Sequence, residues 1–143
     1  MPPLDCPFHA LDSLLEELRD RADVFLLDFH GEASSEKKAM GMYADGRVSA
    51  VVGTHTHVPT ADECILPEGT AFVSDLGMTG PYASIIGMDC ENVLAKFLTG
   101  LPHRFEVASE DARLSGLIVD LDEESGRARF VQRIHERLDE VEE

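Results

Sequence analysis

In the first part of the chain, segments whose hydrophobic residues recur at helical spacing alternate with short apolar runs that are typical of strands. Leucines recur at helical spacing over residues 8–22 and predict an amphipathic helix. The apolar runs 24–29 and 48–52 have the length and composition of buried strands, and residues 32–43 between them predict a short helix. The order helix, strand, helix, strand predicts an α/β fold with one crossover.

The second half of the chain has shorter apolar runs and more turn residues. Residues 64–66 and 70–74 flank a Pro-Glu-Gly turn and predict a hairpin. A helix is predicted over residues 91–98, because a glycine and then a proline follow it. Residues 114–121 and 128–134 predict an antiparallel hairpin that completes a sheet.

Three histidines follow the two strands of the predicted crossover. His55 and His57 lie two residues apart directly after the run 48–52, and His30 directly follows the run 24–29. Alternate residues of an extended segment point to the same side, and parallel strands open their carboxyl ends on one crevice. We therefore expect the three imidazoles to converge. Imidazole is a common ligand of Zn, Fe, Mn and Ni, so this pattern predicts a metal site.

The alternative to the metal hypothesis is that these histidines are ordinary surface or hydrogen-bonded residues. A single histidine at a strand end is usually a surface or hydrogen-bonded group, and that is the default for His30 taken alone. For His55 and His57 as a pair, in a turn flanked by glycine and threonine, the ligand hypothesis is favoured. His9 and His103, like His135, lie among charged or helical residues and are expected to be solvated.

Length and charge limit the classes of partner. The 143 residues suffice for a single domain over 1–143, with a proline-rich connector at 1–7 and an acidic tail at 136–143. The 12 basic and 28 acidic residues give a net charge of −16, which disfavours nucleic acid polymers and anionic membrane surfaces. A small anionic substrate would have to be captured by a metal or by backbone donors. No signal or membrane-spanning segment is evident, so the sequence predicts a cytoplasmic protein.

Three motifs resemble those of a known enzyme family. Residues 28–33 (Asp-Phe-His-Gly-Glu-Ala), 53–58 (Gly-Thr-His-Thr-His-Val) and 75–81 (Asp-Leu-Gly-Met-Thr-Gly-Pro) resemble, in order, the YmdB-like family of calcineurin-like metallophosphoesterases. The resemblance implies an α/β fold, a β-sandwich flanked by helices, with a dinuclear iron or manganese centre. It implies a phosphodiesterase that acts on 2′,3′-cyclic nucleotides. Carried over by motif, His30 and His55 would bind one metal and His57 the other.

The resemblance covers only the carboxyl-terminal half of such an enzyme. Full-length members place Gly-Asp, Glu-Asn and Gly-Asn-His motifs upstream of the matched region, and these supply the carboxylates, an asparagine ligand and a proton donor. The expectation is a partial site without catalytic activity of its own, which a missing amino-terminal half or a homo-oligomer completes. The alternatives are a non-catalytic metal-binding module and an interaction module or truncated product.

Six polar residues near the histidines are secondary candidates. The carboxylates of Asp28 and Asp75 are expected to orient histidine ligands or to support the fold. Glu32 is as consistent with a solvated acid at a helix start as with a replacement ligand. Three hydroxyl groups are candidates for substrate contacts, although turn-stabilising roles are favoured for them. These three residues are Thr54, Thr56 and Thr79.

Overall fold

Two sheets and three helices form the part of the chain that the structure, a computed structural model, describes, residues 5–138. The helices are α1 (Pro7–Leu18), α2 (Ser34–Ala44) and α3 (Cys90–Thr99). The strands are β1 (Leu26–His30), β2 (Ala50–Thr54), β3 (Cys64–Ile65), β4 (Ala71–Val73), β5 (Gly80–Pro81), β6 (Ala112–Leu121) and β7 (Ala128–Arg137).

The first sheet contains the predicted crossover. Its strand order is β1-β2-β4-β3, with β1, β2 and β4 parallel and β3 antiparallel to β4. Helices α1 and α2 contribute Leu11 and Met40 to a core that also contains Val51 of β2 and Phe72 of β4. The parallel pairing of β1 and β2 is as the two apolar runs predicted, and the addition of β4 aligns the carboxyl ends of three strands along one edge.

The second sheet is antiparallel and packs across the first. Its order is β5-β6-β7, and the long β6·β7 hairpin confirms the pairing predicted for residues 114–121 and 128–134. Ala128, with Val119 and Val131 beside it, packs against the small side chains of Ala50 and Ala71. Small residues at this contact let the two sheets approach closely, so they form the two layers of a β-sandwich.

The bounds of α1 and of the final hairpin differ from the sequence prediction. Pro7, placed in the connector, is already part of α1, because proline lacks only an N–H that the first helical turn leaves unbonded. The helix stops at Leu18 rather than at residue 22, since the following residues are exposed and polar. The hairpin extends through Arg137, so Glu136 lies in β7, whereas residues 139–143 of the acidic tail lie outside the described residues.

Apolar surfaces on β1 and on α3 are open to solvent. Leu26 on β1, an edge strand, is 71% exposed, and it borders a cleft between the sheets that Val52 and Leu117 also line. On α3, Phe97 is 77% and Leu98 84% exposed. Neither surface belongs to a membrane-spanning element: within residues 5–138, every helix is too short or too polar to cross a bilayer.

Candidate metal centre

The parallel sheet brings the predicted site residues to its carboxyl edge. His30 is the last residue of β1 and pairs in register with Thr54, the last residue of β2. His55 follows β2 directly, and Asp75 lies two residues beyond the end of β4. Because the three strands are parallel, these side chains share one edge of the sheet.

His30 and His55 are in direct contact. The Nε2 atom of His30 lies 3.1 Å from Nδ1 of His55, and the two rings meet edge to face with their centroids 4.9 Å apart. Both side chains are exposed to solvent, so a ligand can reach them. The structure thus brings together two of the three histidines selected from the sequence.

A hydrogen-bonded chain fixes the orientation of His30. The Thr54 hydroxyl donates to the Asp28 carboxylate at 2.9 Å and lies 3.1 Å from Nδ1 of His30. A carboxylate only accepts, so the hydroxyl proton faces Asp28 and its lone pair accepts from Nδ1–H. The network therefore assigns the tautomer of His30 in which Nε2 carries the lone pair. That atom faces His55.

The separation of the two nitrogens fits a shared metal ion. Two nitrogens bound to one ion at about 2.1 Å lie about 3.0 Å apart in octahedral geometry and about 3.4 Å apart in tetrahedral geometry. The observed 3.1 Å falls inside this range, and it is also the length of a hydrogen bond from His55 Nδ1–H to Nε2 of His30, so an ion bound between them would displace that proton. A histidine ligand is commonly oriented through its other ring nitrogen, and the contact between His30 and Thr54 has this form. The pair is therefore suited to hold one ion.

His57 does not join this pair. Its Nδ1 lies 3.3 Å from the Ile86 carbonyl oxygen, so Nδ1–H donates there and Nε2 carries the lone pair. His55 and His57 both have positive φ, at 126° and 65°, which turns their side chains in a way that an extended segment would not. Among residues 5–138, no three His, Cys, Asp or Glu side chains are grouped so as to hold a metal ion. The two-residue spacing in a straight strand was therefore a poor guide to where His57 lies.

A buried ion pair under the site was missed by sequence reasoning. The ammonium group of Lys37, on α2, lies 2.8 Å from the Asp75 carboxylate, and the two side chains are only 2% and 1% exposed. The same ammonium donates to the Thr54 carbonyl at 3.4 Å. The signal was present in the spacing, since Lys37 occupies the same helix face as the buried residues Met40 and Ala44.

Asp75 organises the loop that carries the histidines. Its carboxylate accepts from the backbone N–H groups of Thr56 and Gly77, each at 2.9 Å. Burial by itself would raise the pKa of Asp75, but the hydrogen bonds from Lys37, Thr56 and Gly77 outweigh it and hold this pKa below its ordinary value. Asp75 thus supports the position of the loop around residues 55–57 from beneath.

The lowered pKa of Asp75 predicts a specific loss of stability in acid. A carboxyl with a lowered folded pKa stabilises the fold above its unfolded pKa of about 3.9, and this contribution disappears as the pH falls through the folded value. We expect the difference in free energy of unfolding between the native chain and Asp75→Asn to shrink as the pH falls below about 5, and to go on shrinking below the unfolded pKa. Urea unfolding at a series of pH values measures it. A difference that does not change with pH would contradict this role.

The other candidates from the sequence lie around the edge of the site. Glu32 is exposed in the turn between β1 and α2. The Thr56 hydroxyl donates to the Val58 carbonyl at 3.0 Å and accepts from the Val58 N–H at 3.2 Å. The Thr79 hydroxyl makes a matching pair of bonds with the backbone of Ser115, at 3.3 and 3.2 Å. Both threonine side chains therefore hold loops in the described structure.

Of the three histidines predicted to be solvated, His9 and His103 are exposed, whereas His135 departs from that prediction. His135 is half-buried, packs edge to face on Tyr82 and lies 3.1 Å from the Ser115 hydroxyl. Its position in β7 explains the difference, because the antiparallel register places it opposite Ser115.

The link from Thr54 to His30 predicts the effect of removing one hydroxyl. In Thr54→Val the side-chain shape remains, but neither Asp28 nor His30 has its hydrogen-bond partner, so the imidazole is free to turn. We expect the affinity for Mn²⁺ to fall about 10- to 100-fold in calorimetric titration. The control is Thr99→Val, which removes a hydroxyl that bonds within α3. Equal affinity in both variants would show that Thr54 does not orient the ligand.

Comparison with known proteins assigns the chain to a family. The family model described as YmdB-like protein matches residues 1–134. A 2′,3′-cyclic-nucleotide 2′-phosphodiesterase of Bacillus subtilis (strain 168) is 53% identical over 134 residues, which are 94% of this chain and 51% of that protein.

Solved structures agree with this assignment. A hypothetical protein from Thermus thermophilus is similar with a TM-score of 0.87 and 49% identity over 96% of this chain and 53% of that one. A novel phosphatase from Mycoplasma pneumoniae has a TM-score of 0.85 and 37% identity, covering 94% of this chain and 49% of the other. These two similarities and the mixed α/β architecture of this chain confirm the predicted fold class. This chain spans about half the length of the relatives it matches, and it belongs to the YmdB-like protein family.

Proposed function

We propose that this chain forms the carboxyl-terminal part of a metal-dependent phosphodiesterase that acts on 2′,3′-cyclic nucleotides. The observation that carries the proposal is the contact between His30 and His55 at the carboxyl edge of the sheet, with facing nitrogens 3.1 Å apart. The Bacillus subtilis relative bears the name of such an enzyme, and the matched region includes both histidines.

Each residue of the site has a role in this proposal. His30 and His55 hold one divalent ion, and Thr54 with Asp28 keeps Nε2 of His30 turned toward it. Lys37 and Asp75 fix the loop that follows β2. When bound, such an ion stabilises the negative charge that develops on phosphoryl oxygens. Because the whole chain carries a net charge of −16, local capture by an ion replaces long-range attraction of the substrate.

Further ligands come from outside the described residues in this proposal. Two imidazoles are neutral and leave the charge of the ion uncompensated, and no group of three ligands occurs within residues 5–138. A segment corresponding to the unmatched half of the relatives, or a second copy of the chain, would supply carboxylates and complete a dinuclear iron or manganese centre with His57. The proposed substrate is a small phosphodiester.

One observation favours a second candidate function. The pair of histidines without a third ligand among the described residues also suits a mononuclear metal-binding module that has no catalytic activity. The two functions differ in whether a phosphodiester is hydrolysed once the other half of the fold is present.

A chimaera separates these functions. Residues 1–134 of this chain replace the matched region of the Bacillus subtilis relative, and hydrolysis of 2′,3′-cyclic AMP is measured with Mn²⁺ beside the 143-residue chain alone. We expect the chimaera to be active and His30→Ala or His55→Ala within it to lose at least about 100-fold in kcat/KM.

His103→Ala is the matched control, because His103 is exposed in the segment after α3, outside the His30–His55 contact. It should leave the rate unchanged. A folded, metal-binding chimaera without hydrolysis would support the non-catalytic module. Full activity in both histidine variants would contradict the proposed ligands.

A further inference from the structure

An apolar cavity opens beside His57. Its volume is about 340 Å³, which lies within the range of small-molecule sites. It lies between α3 and the two segments that flank it along the chain, and its lining combines aromatic, aliphatic and thioether side chains with one ammonium group. The lining residues used below are His57, Ile86, Met88, Lys96, Phe97 and Phe105.

The chemistry of this cavity differs from that of the whole molecule. The chain has 28 acidic residues, yet the lining of the cavity contains no carboxylate. The ring of Phe97 is 77% exposed and that of Phe105 39%, and the Lys96 ammonium lies 4.9 Å from the centroid of the Phe105 ring. Exposed aromatic faces with a nearby cation are suited to a flat, electron-rich ring that stacks and accepts hydrogen bonds.

The cavity adjoins the loop that carries the candidate metal ligand His55. His57 lines it and is two residues from His55, which contacts His30. Two hydrogen bonds hold His57 in this position, one from its Nδ1 to the Ile86 carbonyl at 3.3 Å and one from the Met78 N–H to the His57 carbonyl at 3.1 Å. One wall of the cavity is therefore built into the loop that carries the metal ligands.

The geometry of a 2′,3′-cyclic nucleotide places its base next to the reacting phosphate. The phosphate is bonded to C2′ and C3′ of the ribose, and the base is bonded to C1′, the adjacent carbon. A phosphodiester held at His30 and His55 therefore has its base within one sugar unit of them. His57, which lines the cavity, is two residues from His55 in the same loop, so the cavity is the candidate site for that base.

We propose that this cavity binds the base of the nucleotide, stacked on Phe97 and Phe105, with Lys96 donating to acceptor atoms of the ring. This inference rests on the proposed phosphodiesterase function for its substrate, but it assigns a separate set of residues. The base subsite, defined by Phe97, Phe105 and Lys96, would govern binding of the nucleotide, whereas the histidines would govern the reaction.

Binding of adenosine, which has no phosphate, tests the subsite without any catalysis. Saturation-transfer NMR on the 143-residue chain should show contact between the adenine protons and the protein, and ribose 5-phosphate, which has no base, should show none from the cavity. Phe97→Ala should weaken adenosine binding about fivefold or more, since stacking of a base on an aromatic side chain contributes about 1–3 kcal/mol. Because Phe97 is largely exposed, this variant should fold.

Leu98→Ala is the matched control. Leu98 is 84% exposed on the same helix and is not among the lining residues of the cavity, so adenosine binding should not change. Equal loss in both variants, or no adenosine binding, would overturn the subsite. Loss of self-association in Phe97→Ala without adenosine binding would assign the cavity to contact with a second copy, which also overturns it.

The two proposals fail in different ways. If adenosine binds through Phe97 but the chimaera does not hydrolyse 2′,3′-cyclic AMP, the base subsite stands and the proposed reaction is wrong. If the chimaera hydrolyses the cyclic nucleotide with the same KM in native and Phe97→Ala forms, the reaction stands and the base subsite is wrong.

Discussion

Lys37→Met is expected to lower the free energy of unfolding by about 3–5 kcal/mol. Methionine fills much of the same space but has no charge, so the Asp75 carboxylate remains buried, 1% exposed, without its counterion. The carboxylate keeps only the N–H groups of Thr56 and Gly77 as charge-stabilising donors. Urea unfolding followed by circular dichroism measures the loss.

Lys38→Met is the matched control for this change. Lys38 is the next residue on α2 but is exposed, with its ammonium 4.5 Å from the centroid of the Phe72 ring, so at most about 1 kcal/mol should be lost. In the double variant Lys37→Met/Asp75→Asn the uncompensated charge is gone, and part of the stability should return. Equal effects of the two lysine substitutions would show that the buried pair is not structurally important.

Gly53→Ala is expected to destabilise the fold by about 3 kcal/mol or more, or to prevent folding. A Cβ atom on Gly53 would lie 1.9 Å from the Ser74 carbonyl oxygen and 2.8 Å from Cδ of Lys37. The backbone after β4 cannot withdraw without breaking the hydrogen bond from the Leu76 N–H to the Gly53 carbonyl. The loop that carries His55 would move with it. Thermal unfolding measures the loss.

Gly116→Ala provides the control for strand glycines. Gly116 lies within β6, and a Cβ atom there would meet no atom within 4 Å. Any effect of glycine on the unfolded chain is shared by both positions, so the difference between the two variants reports the clash. If both alanines were tolerated equally, the close approach of Gly53 to Ser74 would not constrain the site.

The contact between His30 and His55 was predictable because it depends on topology. Two apolar runs joined by a helix predict parallel strands, and parallel strands place the residues after them at one edge. The register His30 with Thr54 then brings the next residue, His55, to His30. The three motifs also identified the family and the fold class, which the family model and the solved structures confirm.

The environment of His57 and the buried ion pair beneath the site, Lys37 with Asp75, were not predictable in the same way. The positive φ of His55 and His57 arises from hydrogen bonds of the loop to Asp75 and Met78, which are distant in the sequence pattern. Lys37 was not selected from the sequence, since a lysine is rarely buried without a partner and its partner is 38 residues away. The helical spacing places Lys37 on the buried face of α2, but it does not indicate which distant residue pairs with it.

Calorimetric titration of the 143-residue chain with Mn²⁺ tests the central claim that His30 and His55 share one metal ion. We expect Mn²⁺ binding by the native chain, loss of that binding in His30→Ala and equally in His55→Ala, and no further loss in the double variant. His103→Ala should bind as the native chain does. Unchanged Mn²⁺ binding in either single variant, with the fold intact by circular dichroism, would contradict the assignment of the two histidines as a shared metal site.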